Sequence, residues 1–214
     1  MKVSVSILKK KDNIKEIITS LQSTSADYIH LDIMDSSFTT NSSFKLEEFN
    51  SISSNIKYDI HIMSTNLDYQ IEEAIKLKPE FITFHIESTK DIYKYINLIK
   101  NDNIKVGLAI NPKTRLWKIK KYLKDIDLVL VMSVPPGEGG QEFIPSTCKK
   151  LKKLHSIKNN TLISVDGGIN NNTIDLVKDY VDIVVSGSYI TNSNNLEEQI
   201  VSLRGWHIFY FFLE

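Results

Sequence analysis

The feature that most constrains this chain is a regular alternation of short apolar runs with stretches of helical spacing. Apolar runs predict strands at Val3–Leu8, Tyr28–Ile33, Tyr58–Met63, Phe81–Ile86, Ile104–Ile110, Asp127–Val134, Thr161–Val165 and Asp182–Val185. Between and after them, helices are predicted over Lys11–Leu21, Leu46–Ile52, Leu67–Leu77, Asp91–Ile99, Thr114–Leu123, Pro145–His155, Asn171–Tyr180 and Leu196–Leu203. The first of these sets Ile14, Ile17, Ile18 and Leu21 on one face, and Thr114 is placed to cap the fifth. Strand-then-helix order requires parallel pairing, because each return needs a crossover. Eight such units of about 25 residues predict an α/β fold, a (βα)8 TIM barrel. With no linker, charge block or low-complexity segment to divide it, residues 1–204 read as one domain. The other architecture, an open doubly wound sheet, lacks a G-x-G-x-x-G turn after the first strand. Residues 205–214 read as an apolar tail, too short to span a bilayer, that packs on the barrel or a neighbouring subunit or is simply a divergent end.

Charge narrows the function classes. With 26 basic and 26 acidic residues among 214, the chain advertises neither a nucleic-acid nor a membrane surface. Its single cysteine, Cys148, excludes an internal disulfide, fits a reducing, cytoplasmic setting, and sits among lysines as a bystander. No secretory leader precedes the first strand, and no apolar run is long enough for a membrane helix.

In this architecture active sites form where strands end. His30 and Asp32 share one strand face, and Asp59, His61 and Met63 share another, because residues two apart point the same way. Asp166 closes a strand and is followed by Gly167 and Gly168; Gly187 and Ser188 follow the next strand. Two successive late-strand glycine turns suit a phosphate, since bare backbone can approach an anion there. If the His and Asp faces turn inward, two imidazoles and two carboxylates converge as a set suited to a divalent transition metal. Plainer readings stand beside these: Asp166-Gly167-Gly168 as an ordinary turn, His85 as a core histidine, Asp27 and Asp59 as solvated strand starts, Asp35 as a turn cap, His155 and His207 as exposed.

Ordered motifs then carry a resemblance. They are Ser6-Ile7-Leu8, His30-Leu31-Asp32-Ile33-Met34-Asp35, Asp59-Ile60-His61-Ile62-Met63, Thr83-Phe84-His85, Gly107-Leu108-Ala109-Ile110-Asn111-Pro112, Val131-Met132-Ser133-Val134-Pro135-Pro136-Gly137, Gly139-Gly140-Gln141, Val165-Asp166-Gly167-Gly168-Ile169 and Ser186-Gly187-Ser188. In this order, from Val3 to Arg204, the chain closely resembles the ribulose-phosphate 3-epimerase family. The resemblance implies a metal-dependent isomerase that converts D-ribulose 5-phosphate to D-xylulose 5-phosphate through an enediolate, within the pentose phosphate pathway. It implies His30, Asp32, His61 and Asp166 as ligands of one divalent ion per subunit (Zn2+, Fe2+, Mn2+ or Co2+), and Asp32 and Asp166 as the acid–base pair. It further implies that Ser6, His61, Met34, Met63, Met132, Gly137, Gly139, Gly140, Gln141, Gly167, Gly168, Gly187 and Ser188 meet the substrate, and that the chain forms a homo-oligomer, a dimer or hexamer. An acid–base pair of this kind requires one carboxyl ionised and the other protonated, hence environments that separate their pKa values.

The chain departs from the family pattern in three places. Ser36 and Ser37 stand where Gly-His is usual, Glu138 replaces an aromatic residue in the glycine loop, and Lys9-Lys10-Lys11-Asp12 replaces Ser-Ala-Asp. These departures bear on the substrate more than on the reaction, so a 3-epimerase of a hexulose 6-phosphate such as allulose 6-phosphate is the close alternative. A non-catalytic sugar-phosphate-binding barrel is the third reading. An orotidine-type decarboxylase is opposed by Met34, which stands two residues after Asp32 where that chemistry uses lysine.

Overall fold

Eight parallel strands close on themselves in the computed structural model, which describes residues 1–205, the side chain of Lys11 excepted. They are β1 (Lys2–Ser6), β2 (Tyr28–Met34), β3 (Lys57–Met63), β4 (Phe81–His85), β5 (Lys105–Ile110), β6 (Leu128–Met132), β7 (Leu162–Asp166) and β8 (Ile183–Ser186). Each pairs with its neighbour in sequence, and β8 returns to β1 with Val184 opposite Val3. That closing ladder rules out the open sheet. The tail from residue 206 on, His207 included, lies outside the described residues.

Alternation along the strands makes two cores. Ile29, Leu31 and Ile33 of β2, with Ile60, Ile62, Ile82, Phe84, Val106 and Leu108, face the surrounding helices. The opposite faces fill the barrel. Tyr28, Phe81, Leu128 and Ile183, all early in their strands, belong to an apolar plug in which the rings of Tyr28 and Phe81 meet edge to face at 5.6 Å. Farther along the same faces the residues turn polar: Ser4, His30, Asp32, Asp59, His61, Thr83 and His85 are all buried. Register fixes who meets whom, with His30 opposite Asp59, Asp32 opposite His61, and Met132 opposite Asp166.

The outer layer is less regular than its periodicity predicts. Helices are α1 (Ile14–Leu21), α2 (Leu67–Lys76), α3 (Ile92–Asn101), α4 (Trp117–Lys120), α5 (Thr147–His155), α6 (Ser188–Thr191) and α7 (Leu196–Leu203). The expected Lys11–Leu21 helix is the end of a 3-10 segment, Leu8–Asn13, and then α1, the break falling at Asn13, whose φ −134° and ψ 39° are not helical. The Leu46–Ile52 helix is one 3-10 turn, Leu46–Phe49. The Thr114–Leu123 helix shrinks to α4, and Thr114 caps nothing: its hydroxyl bonds Glu87 instead. The Asn171–Tyr180 helix is absent apart from a 3-10 turn at Ile174–Leu176. There Asn170 Oδ1 accepts from the Asn172 amide at 2.8 Å and Thr173 Oγ1 from the Asn170 amide at 2.9 Å. Short polar side chains thus offer the backbone an alternative to the helix. No helix among the described residues is long and apolar enough to cross a membrane. Cys148 is half-buried, with burial raising its thiol pKa, in keeping with a bystander.

One close approach inside the barrel is measurable. Gly107 of β5 lies opposite Thr83 of β4, and a Cβ on it would stand 2.1 Å from Thr83 Oγ1 and 2.9 Å from Thr83 Cβ. Gly107→Ala should cost about 1–3 kcal/mol by overpacking. Adding Thr83→Ala should recover most of the loss, and denaturant melts of both variants check it.

Candidate active site

The polar half of the barrel interior is one connected network. Ser6, at the end of β1, donates to Asp32 Oδ2 at 2.8 Å. Asp32 Oδ1 lies 3.1 Å from His61 Nδ1 and 3.3 Å from His30 Nε2. Asp166, on β7, brings its Oδ2 to 3.9 Å from the same His61 Nδ1. One ligand atom each from His30, Asp32, His61 and Asp166 can be chosen so that all four lie within 4.8 Å of one another.

Behind these four stands a second layer that the sequence reading missed. Asp59 is buried, not solvated: its Oδ2 lies 2.8 Å from His30 Nδ1 and accepts from Ser4 Oγ at 2.9 Å. His85 is a core histidine as read, yet its Nε2 is 2.9 Å from His61 Nε2 and its Nδ1 3.2 Å from Glu87 Oε2. Glu87 is itself held by the Asn111 amide at 3.2 Å and by the Thr114 hydroxyl. Phe38, from the loop after β2, covers His85 with ring centroids 4.8 Å apart.

These contacts settle proton positions. Burial works against ionising Glu87, but hydrogen bonds from His85 and Thr114 outweigh it and hold its pKa low. An ionised carboxylate only accepts, so His85 carries its proton on Nδ1 and leaves Nε2 as an acceptor. Burial also pushes the His85 pKa down to about 4, which keeps it neutral. His61 must therefore donate from Nε2, and its Nδ1 lone pair faces Asp32 and Asp166. Burial lowers His61 as well, so it too stays neutral at pH 7.

His30 is different. Burial disfavours its charge, but the carboxylates of Asp32 and Asp59 overcome that and raise its pKa well above the usual imidazole value. With Nδ1–H committed to Asp59, its Nε2 is buried, misaligned toward Asp32 and without a hydrogen-bond partner. Buried polar atoms are rarely left so. An orphaned nitrogen, a His61 lone pair and two carboxylates form a donor set that fits a divalent cation, which would take the place of the His30 Nε2 proton.

The two candidate acid–base carboxyls are driven apart. Burial alone would raise Asp32, but the His30 charge outweighs it and holds it far below the ordinary carboxylate range. Burial and the neighbouring Asp32 charge push Asp166 up to about 7. The separation expected of an acid–base pair is present in the surroundings of these residues.

Above the cluster opens a cavity of about 480 Å³, within the range for small-molecule sites. Ser6, Asp32, Met34, Met63, Met132 and Asp166 form its deep wall, and Gly137, Gly139, Gly140, Gln141, Gly167, Gly168, Gly187 and Ser188 its rim. His30 and His61 do not line it; both are fully buried behind Asp32. Gln141 lines it but turns its amide back on the loop, donating to Pro135 and Glu138 carbonyls at 2.7 and 2.8 Å. Asp35 caps its turn as expected, accepting from the Ser37 amide at 2.9 Å. Asn41 donates to the Gly137 carbonyl at 3.0 Å, tying the loop after β2 to the loop after β6. Glu138 is exposed at the rim. His155 is exposed and far from this network.

Comparisons with known proteins show what the whole chain is similar to. The Ribulose-phosphate 3 epimerase family profile matches residues 2–191. A ribulose-phosphate 3-epimerase of Buchnera aphidicola subsp. Baizongia pistaciae is 40% identical over 199 residues, covering 88% of this chain and 87% of the relative. One from Helicobacter pylori is 36% identical over 212 residues, covering 95% and 97%. Among solved structures, 3-hexulose-6-phosphate synthase from Salmonella typhimurium is similar at TM-score 0.68 and 14% identity, covering 96% of this chain and 97% of that one. At that identity the likeness shows the fold alone.

Two outcomes follow for metal uptake. His30 holds its Nε2 proton around neutral pH and a cation must displace it, so Zn2+ binding should release a proton and its apparent affinity should rise with pH. Calorimetry in buffers of different ionisation heat reads this, and pH-independent uptake would count against the assignment. His85→Phe, which removes the acceptor for His61 Nε2–H, should weaken Zn2+ binding about 10–100-fold in a chelator competition. His85→Gln, with an oxygen to accept the same proton, should retain more of it.

Proposed function

The chain belongs to the ribulose-phosphate 3-epimerase family and is a carbohydrate epimerase, and on that premise we propose that it interconverts D-ribulose 5-phosphate and D-xylulose 5-phosphate. The observation that carries the reading is the pair Asp32 and Asp166: one cavity, two strands, and surroundings that drive their pKa values apart. Inversion at C3 removes the proton beside the C2 carbonyl and returns one to the other face of the planar intermediate. A single base does not reach both faces. Asp32, ionised, is suited to take the proton, while Asp166, with a substantial protonated fraction near pH 7, is suited to give one. Their roles exchange in the reverse direction. Each turnover leaves the two carboxyls with exchanged protonation, which a proton transfer with solvent or the reverse reaction resets.

His30, Asp32, His61 and Asp166 would hold one divalent ion, with Zn2+, Fe2+, Mn2+ and Co2+ all suited to this nitrogen and oxygen set. Bound there, it supplies positive charge against the enediolate oxygens. Ser6 holds Asp32 in orientation through the hydrogen bond it donates to Oδ2. Met34, Met63 and Met132 give a wall that excludes water without competing hydrogen bonds. The glycine rim takes the phosphate, whose binding energy positions C3 against the carboxyls. The family resemblance also carries a homo-oligomeric assembly and a cytoplasmic setting into this reading.

The test is hydrogen exchange. Metal-loaded protein in deuterated water should exchange the C3 proton of D-ribulose 5-phosphate and form xylulose 5-phosphate, followed by NMR. Asp32→Asn and Asp166→Asn should each slow this by at least about 10²–10⁴-fold. Exchange with allulose 6-phosphate alone would reassign the substrate. Folded, metal-loaded protein that exchanges neither sugar would sink the reading.

A further inference from the structure

A single basic side chain stands at the cavity, and the catalytic reading gives it no role. Lys9 sits in the 3-10 segment after β1, where the chain departs from its family. Among the described residues lining the cavity it is the one lysine or arginine, whereas Asp32, Asp166, Glu138 and Glu142 all supply carboxyls. Its side chain lies along the glycine loop. Cε and Cγ come 3.3 and 3.5 Å from the point where a Cβ on Gly139 would stand, and Nζ comes 2.5 Å from that point on Gly140. The same point on Gly140 is 3.7 Å from Ser188 Oγ. Gly140 has φ +80°, so the loop turns here through a conformation that favours glycine and leaves room for the ammonium to cross. Although two carboxylates share the rim, no described residue forms an ion pair with Lys9.

We propose that Lys9 is a substrate-binding residue whose ammonium receives the phosphate end of the sugar between the Gly140 turn and Ser188. The proposal rests on the reading of the cavity as a ketose-phosphate site. Its physical basis is charge. A phosphate monoester carries about −1.5 to −2 at neutral pH. Glycine-turn amides offer dipoles but no net charge, and the remaining ionisable groups on the cavity wall are acidic. A cation strengthens the hold of such a wall on a dianion, and the structure supplies one, unpaired among the described residues, beside the bare backbone. Lys9 thereby selects phosphorylated over free ketoses and offsets the carboxylate that Glu138 adds to the rim. The structure leaves Lys10 outside this role, since it lines a separate surface hollow with Asn13 and Glu16.

Inorganic phosphate is the probe, titrated into 15N-labelled wild-type, Lys9→Gln, Lys9→Arg and Lys10→Gln protein while the Gly140 and Ser188 amides are followed. Lys9→Gln should weaken phosphate about tenfold, and Lys9→Arg should stay within about threefold of wild type, the scale of one charged, partly solvated contact. Lys10→Gln should match wild type. With ribulose 5-phosphate, Lys9→Gln should raise KM and leave kcat nearly unchanged. Equal phosphate affinity in wild type and Lys9→Gln, or no phosphate binding by wild type, overturns the proposal. Phosphate weakened in Lys9→Gln by a protein whose wild type epimerises no ketose phosphate keeps Lys9 as an anion contact and discards the epimerase reading instead.

Discussion

Charge enclosed in the barrel is the constraint on which the rest of this structure depends. Asp59, His30, His61 and His85 are buried away from water and Asp32 meets it only at the cavity wall, and an isolated charge in such a place is costly. Each is tolerated because a partner is fixed within reach: Ser4 and His30 on Asp59, Ser6 and His30 on Asp32, His85 on His61, Glu87 on His85. The partners are fixed because the strands are. A slip of one residue between β2 and β3 would turn His30 and Asp32 out among the helices and bring Ile29, Leu31 and Ile33 inside. The apolar contacts of Ile29, Leu31 and Ile33 with the helix layer therefore hold the polar cluster in place.

The same arrangement creates an asymmetry. Asp32 is surrounded by imidazoles and Asp166 by little beyond the wall and the Asp32 charge. Two residues of one type, in contact with the same His61 nitrogen, thus acquire opposite protonation preferences. Nothing about the aspartates themselves distinguishes them; the neighbours contributed by β2, β3 and β7 do. Each imidazole is likewise oriented from its far side, His30 by Asp59 and His61 by His85, so the nitrogens facing the cluster are chosen by groups that do not line the cavity.

The strands were legible in the sequence because a strand buried on both faces is written as an unbroken apolar run, as in Leu128–Met132. His30, Asp32, His61 and Asp166 were legible because each interrupts or ends such a run. Asp59 was misread because it stands near the start of its strand, where a polar residue is ordinarily solvated; its place two residues before His61 on one face was the available signal. His85 carried the same signal, but nothing in the sequence tells that its ring meets another. Glu87 and Thr114 act from loops, whose courses no periodicity encodes. Two of the failed helices have a common cause: at Asn170–Thr173 and at Thr114, short polar side chains bond locally or reach across to another loop. Lys9 was visible as a departure, but its course over Gly140 was not.

The plug of Tyr28, Phe81, Leu128 and Ile183 makes the barrel a vessel with a single opening. Protons, like water, reach the carboxyls only from the mouth. The side chain of Asp166 is 16% exposed and that of Asp32 only 6%. If these carboxyls move the proton as proposed, hydrogen taken from the sugar by Asp166 would mix with solvent sooner than hydrogen lodged on Asp32. The two directions of the reaction would then differ in isotopic memory: label carried through one carboxyl would wash out, and label carried through the other would be retained longer. A molecule that inverts a carbon almost symmetrically would in this way keep a directional record of the hydrogen it moves, written by the closed floor of its barrel.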